Sequence, residues 1–561
     1  MNEKNFHIGL CMAGAVSAGA YTAGVMDYLV EALAEWEKRR GTNNTPSHKV
    51  VISVIGGASA GGMTGMVTAA SVNYPKNPVR FDQSTSLLNT HPENKFYHSW
   101  VDLLGEEMFS QMLNQKDIQQ NKRVDALLNA EFVDEIAKRA ISSNEKDWLP
   151  TPAYFAEQLK VFTTLTNLEG LKYNIAFNSE VMQNNYNMAV HNDYACFNLN
   201  AANYQNDGWL PLNFKNGMNN SIAKDAAMAT GAFPIGLKSR VLQRPLDSII
   251  DNPWLNQTKI KSNQHNDGVY TTQNVDGGLI NNEPFDKVRE LLNEITQQYD
   301  TKAQNAYDEF KSAVLMIDPF PSELPAAFKI NQQLFSTIGY TLNAMTQQMR
   351  AKPASLINAM DTDKAGQFLI APTRPITNGE QKGNKIEGSG AIACGAFDGF
   401  SGFINKEFRI HDFYLGRYNC EMFLRNHFTI PAKELATHPV FSEGYKGIDK
   451  SAFKSFHEDA YQIIPIFSSI DKGYYPMPVF SSGSHWPSVD PTMVKKFEPA
   501  IKKRVEALLL YAFPLTGFWG FILRIAAKWL LSKKIGEKLV ELITGSLEKH
   551  DLINRSNKNQ T

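Results

Sequence analysis

A serine stands between two glycines in Gly57-Ala58-Ser59-Ala60-Gly61, after the apolar run 50–55 and before the helix-compatible run 63–70. Strand, sharp turn and helix in that order are the setting of a nucleophilic serine. Glycines keep the turn free of side-chain clashes, and a helix N-terminus favours developing negative charge. The pentapeptide by itself is a weak signal, since a small-residue turn packing a helix on a sheet reads the same way. Upstream, residues 8–12 run as an apolar strand into Ala13-Gly14-Ala15-Val16-Ser17-Ala18-Gly19, and a helix is predicted over 21–33. A loop of such small residues exposes backbone N–H groups, as an oxyanion hole requires. An ordinary strand–helix connection is the plainer reading of it. Downstream, Val275-Asp276-Gly277-Gly278-Leu279-Ile280-Asn281-Asn282 sets a carboxylate before two glycines. That carboxylate reads either as a catalytic base or as the start of an Asx-type turn.

Taken together and in this order, the three stretches resemble the patatin-like phospholipase family. Two further stretches are similar to it: Val161 to Gly170, like its central strand and turn, and Ala226 to Pro234, like its small-residue helix ending in Phe-Pro. The resemblance covers roughly residues 5–320. It implies a Ser59–Asp276 dyad working without a histidine, elbow glycines Gly57 and Gly61, and oxyanion donors at Gly14, Ala15 and Val16. One departure stands out: Ala18 occupies the place where the family's loop carries Arg or Lys. The implied fold is an α/β patatin-like core with a mostly parallel central sheet flanked by helices, followed by a largely helical C-terminal extension, as in large bacterial members. The implied activity is phospholipase A-type hydrolysis of acyl esters in membrane lipids, with no cofactor. An unperturbed aspartate is too weak a base for serine, so the dyad requires a buried Asp276. The alternatives are an idle lipid-binding scaffold of the same fold and a Ser-Asp-His esterase. The latter would draw on His411, His427, His438 or His485, none of which sits in a recognisable loop. Acyl transfer shares the same acyl-enzyme.

Composition agrees with an ordinary globular chain: 43% of the 561 residues are hydrophobic, 20% charged and 11% aromatic. A net charge of −1 gives no global field toward nucleic acid or an anionic membrane. Four scattered cysteines show no CxxC spacing and the histidines no HxxxH pair, so neither a disulfide framework nor a metal site is expected. A reducing cytoplasm is the expected compartment. Residues 1–5 lack a basic n-region, so the apolar stretch after them is expected to be strand, loop and helix rather than a secretion signal.

Three regions follow from patterning. Residues 5–320 form the catalytic domain. Within it the spacing over 97–145 predicts a helical insertion, a candidate lid; 236–270 reads as an irregular polar insertion, and strand 312–317 is expected to close the sheet. Residues 321–500 read as a mixed, mainly helical extension, with helix over 324–350, a loop over 377–390 and an aromatic, charged stretch over 400–428. Residues 501–561 form an amphipathic helical segment. Phe518, Ile522, Ile525 and Trp529 share a helical face there, near Arg524, Lys528, Lys533, Lys534 and Lys538. Pro514 and the charges interrupt any 20-residue apolar run, so residues 505–552 are expected to lie on a membrane surface rather than span it. The expected partner is membrane phospholipid. A homo-oligomer is compatible with the sequence.

Overall fold

The computed structural model describes residues 5–554 apart from 43, 83–85, 106, 143–144, 177–184, 256–267, 322–329, 335, 338–339, 342–343, 346–364, 377–382, 469–474 and 513–530. The predicted helix over 324–350 falls largely outside them, as do Phe518, Ile522, Arg524, Ile525, Lys528 and Trp529. Within the predicted loop over 377–390, the described residues 383–390 carry a short strand, Lys385–Glu387, paired antiparallel with Thr373–Pro375.

Residues 5–71 alternate strand and helix: β1 (Asn5–Met12), α1 (Gly19–Arg39), β2 (Lys49–Gly57) and α2 (Ser59–Ser71). Both strands are buried almost throughout, as strands of a sheet covered on both faces must be. Short helices at Met108–Met112, Lys116–Asn121 and Glu131–Ala140 fill the predicted insertion. A long hairpin follows, β3 (Phe155–Ala176) and β4 (Asn185–Leu199), then β5 (Leu210–Leu212) and α3 (Asn220–Thr230). The region read as irregular carries a strand, β6 (Arg240–Pro245), paired antiparallel with β7 (Val269–Asp276). Its alternating burial, with Leu242 and Arg244 inside, is the pattern of a half-buried strand that the polar composition concealed. Next come α4 (Phe285–Thr296) and β8 (Ser312–Ile317). β8 does not close the sheet: β9 (Gln367–Ile370) adds parallel to it on the far side.

The nine-stranded sheet runs β5-β4-β3-β2-β1-β8-β9, with β6 and β7 joined through β3. The five strands from β3 to β9 in this order are mutually parallel. This is the mostly parallel α/β sheet read from the sequence. Register places the chemistry. Gly57, the last residue of β2, faces Thr163 of β3, and two residues further on Leu165 faces Asp276. The turn after β2 and the end of β7 therefore meet above the same part of β3.

The extension shares this core. α5 (Lys406–Asn426) packs on α1 through glycines at both surfaces. A Cβ on Gly24 would lie 1.9 Å from the Phe413 carbonyl oxygen, and one on Gly416 would lie 2.2 Å from that of Tyr21. Arg417 reaches back to Asp27 and Glu31 of α1. Near the C-terminus, α6 (Glu498–Ala512) and α7 (Ser532–Lys549) pack together. α7 buries one stripe, Ser532, Gly536, Val540, Ile543 and Leu547, at helical spacing. One apolar cluster runs from Phe6 to Ile553. No helix among the described residues is long and apolar enough to cross a membrane.

Candidate active site

Ser59 opens α2 with φ +50°, a left-handed conformation that costs a side-chain-bearing residue energy and persists only where its surroundings enforce it. The enforcement is visible on both sides. A Cβ on Gly57 would lie 2.6 Å from the Gly61 backbone, and one on Gly61 would lie 2.2 Å from the Met12 carbonyl oxygen. The two glycines thus let strand, turn and neighbouring strand close on one another. Thr230, at the end of α3, accepts the Ser59 N–H at 2.9 Å. Sequence reading placed Thr230 in a motif but gave it no role.

The Ser59 hydroxyl donates to Asp276 Oδ2 at 2.5 Å. The other carboxylate oxygen, Oδ1, accepts the Gly278 N–H at 2.7 Å. The Asx turn read from the sequence is present, and it fixes the carboxylate whose other oxygen faces the serine. Its backbone is held as well, by Ala232 accepting its N–H and by the Thr166 hydroxyl donating to its carbonyl. A Cβ on Gly277 would strike the Thr164 carbonyl at 2.1 Å, so the turn closes directly on β3.

Ser59 and Asp276 are only 7% and 5% exposed. Burial raises the Asp276 carboxyl from its ordinary 3.8 to about 6, outweighing the hydrogen bonds from Ser59 and Gly278 that favour the ionised form. No charged group contributes to that shift.

The loop after β1 lies against this pair. A Cβ on Gly14 would lie 2.4 Å from Asn282 Oδ1 and 2.9 Å from Ser59 Cβ. Among the described residues, the N–H groups of Gly14, Ala15 and Val16 find no acceptor, although Ala13, Ser17 and Ala18 on either side all donate. Val16 has φ +48°. All three residues line a cavity of about 690 Å³ together with Ser59, Asp276 and Asn282. Ala18, at the departure from the family pattern, is fully buried at the start of α1, which leaves a basic side chain no path to water. Phe233, Phe320 and Phe397 give the cavity apolar wall. Lys549 and His550, at the end of α7, also line it, and no motif in the sequence marked them.

The candidate histidines lie elsewhere. His411 is fully buried, bonds Asp412 at 2.8 Å and packs against Trp486. His438 bonds the Phe310 carbonyl, and His485 the Pro478 carbonyl. The direct serine–carboxylate bond leaves no room for an imidazole between them. Among the described residues no cluster of His, Cys, Asp or Glu could hold a metal ion.

A buried carboxylate hydrogen-bonded to a strained serine hydroxyl, beside unpaired backbone donors, is an arrangement for acyl transfer chemistry. The comparisons agree with that class. The patatin-like phospholipase family model matches residues 10–289. A protein of Sinorhizobium fredii (strain NBRC 101917 / NGR234), described as uncharacterized protein y4iI, is 30% identical over 499 residues, which span 78% of this chain and 67% of that protein. The chain belongs to the patatin-like phospholipase family, and with it to the hydrolases of lipid esters.

The raised carboxyl carries a stability consequence. Folded Asp276 holds its proton more tightly than the unfolded residue, so its ionisation opposes folding. The penalty is absent below about pH 4 and complete above about pH 6, where it amounts to about 3 kcal/mol. Asp276→Asn is expected to unfold at a higher temperature than the natural protein at pH 8, with the gap closing by pH 4. A gap that does not change with pH would contradict the raised carboxyl.

Proposed function

We propose that the protein is a phospholipase A-type acyl hydrolase in which Ser59 and Asp276 form a two-residue catalytic unit. The observation that carries this reading is the 2.5 Å hydrogen bond from the Ser59 hydroxyl to a carboxylate that burial has made more basic. As Ser59 Oγ attacks the ester carbonyl carbon, its proton passes to Asp276 Oδ2. Negative charge gathers on the carbonyl oxygen and is met by the N–H groups of Gly14, Ala15 and Val16. A single such donor is worth about 2.7–4 kcal/mol of barrier. Collapse breaks the ester C–O bond, and Asp276 returns the proton to the departing alkoxide, leaving a lysolipid and an acyl-serine. Water then attacks the acyl carbon, giving its proton to Asp276. The tetrahedral species expels Ser59 Oγ, which recovers that proton, and a fatty acid leaves. Transfer of the acyl group to another alcohol would follow the same path with the alcohol in place of water.

Ser59→Ala and Asp276→Ala are each expected to lower hydrolysis of a chromogenic acyl ester by 10³-fold or more, the scale of losing a nucleophile or its base. A fluorophosphonate probe is expected to label Ser59 in the natural protein. Full activity in either variant, or an adduct on another serine, would sink the assignment; activity lost to the same degree in a His411→Gln protein of normal fold would favour the triad reading.

The enzyme is proposed to meet its substrate at a bilayer surface in the cytoplasm through residues 505–552. In support, Lys533, Lys534 and Lys538 of α7 are exposed, as are the apolar side chains of Leu531, Ile535 and Leu542. Each basic residue near an anionic surface is worth about 1 kcal/mol. Reversal of Lys533 and Lys534 to Glu is expected to weaken sedimentation with phosphatidylglycerol vesicles at least tenfold. Unaltered binding would remove this contact.

A further inference from the structure

Beyond the catalytic pair, the 690 Å³ cavity carries two opposite charges that do not meet. Asp398 and Lys549 both line it. Neither forms an ion pair with any described residue, nor with the other.

Asp398 sits in a backbone that is costly to build. Phe397, Asp398 and Gly399 have φ values of +54°, +50° and +89°, three consecutive left-handed residues of which two bear side chains. Strain of this kind gathers at functional sites. Here the surrounding structure holds it from both ends. The Phe397 N–H donates to Ser546 Oγ of α7 at 2.7 Å, and the Gly399 carbonyl accepts the Ser17 N–H at 3.1 Å. A Cβ on Gly399 would touch Val16 at 3.1 Å. The loop therefore bridges the unpaired amides after β1 and the end of α7.

Lys549 is positioned as firmly at its base. Leu547 and Leu552, on either side of it, are fully buried. The N–H of Val489 donates to the Leu552 carbonyl at 2.9 Å, and the Trp486 indole to the Asp551 carbonyl at 3.1 Å. His550 Nδ1 bonds the Ser546 carbonyl at 2.9 Å.

We propose that Lys549 and Asp398 form a headgroup subsite for a zwitterionic glycerophospholipid. The Lys549 ammonium takes the anionic phosphodiester, and the Asp398 carboxylate takes the cationic amine beyond it. The ester carbonyl is then left at Ser59, and the acyl chain runs along Phe233 and Phe320. A neutral diacylglycerol satisfies neither charge, and an anionic headgroup without an amine satisfies only the lysine. A volume of about 690 Å³ is within the range of roughly 300–1,000 Å³ typical of small-molecule sites. This proposal rests on the Ser59–Asp276 reading and names the substrate class of that same site.

The test compares phosphatidylethanolamine, phosphatidylglycerol and diacylglycerol of identical acyl chains in detergent micelles. Three full-length proteins are assayed: natural, Lys549→Gln and Asp398→Asn. Asparagine tolerates the left-handed backbone and removes only the charge. The natural protein is expected to rank the substrates by kcat/KM in the order given. Lys549→Gln is expected to lower the ratio of either phospholipid to diacylglycerol about tenfold. Asp398→Asn is expected to lower the ratio of phosphatidylethanolamine to phosphatidylglycerol about tenfold. A natural protein indifferent to headgroup overturns the proposal, and so does a variant that lowers all three substrates alike, which would mark its charge as structural. Ser59→Ala run alongside separates the two readings. If it retains hydrolysis, the catalytic assignment has failed; if it is dead while headgroups are not distinguished, only the subsite has failed.

Discussion

The proposed reaction asks a carboxylate to take a serine's proton, which requires that water stabilise its charge poorly, and Asp276 is buried accordingly. The rest of the architecture can be understood from that demand. A central parallel sheet buried on both faces brings the end of β2 and the end of β7 to adjoining positions on β3. Small residues at Gly14, Gly57, Gly61 and Gly277 then let four backbone segments close to contact distances that no side chain would allow. The same closeness that excludes water sets the hydroxyl on the carboxylate at 2.5 Å. Burial and geometry are one property of the site.

This closeness is accompanied by strain. Val16, Ser59, Phe397 and Asp398 all adopt left-handed backbone, and all four line the same cavity. Three of the four meet a bond or a close contact from another segment: Thr230 for Ser59, Ser546 for Phe397, and Gly399 for Val16. A fold that keeps both a charge penalty and backbone strain in one place must be stabilised elsewhere. The continuous apolar cluster and the paired charges supply this. One is the bidentate Arg244–Asp193 bond, which ties β6 to β4 in the interior. Another joins Arg417 to Asp27 and Glu31 between α5 and α1. The cavity of about 510 Å³ beside α1 and α5 is lined by members of such pairs, Glu31 and Arg417 among them, and holds no counterpart to Ser59 and Asp276.

Much of the core was legible because local pattern and tertiary role coincide there. The serine turn needs its glycines whatever the rest of the chain does, and buried parallel strands write themselves as apolar runs. β6 was missed because an edge strand with one wet face looks polar, and its single buried arginine reads as a loop charge until Asp193 is seen opposite. β9 was missed because it is four residues long and joins the sheet from beyond residue 320, where the family pattern had ended. The contacts of Thr230, which lies in a recognised stretch, and of Lys549 and His550, which lie in none, left no signal in sequence for a different reason. These residues meet Ser59 or its cavity only through tertiary packing, across separations that no motif spans.

In the proposed reaction Ser59 loses its proton directly to a carboxyl whose proton affinity burial has raised. This step is tested most directly by the pH dependence of kcat/KM for a small soluble ester, measured at several temperatures. Expected is a single acidic limb near pH 6, below which the rate falls tenfold per pH unit, with an apparent pKa that scarcely moves with temperature, as carboxyl ionisation behaves. A limb near pH 4 would mean that Asp276 is not raised. A limb that shifts downward on warming, as imidazole ionisation does, would place a histidine in the reaction and contradict the account.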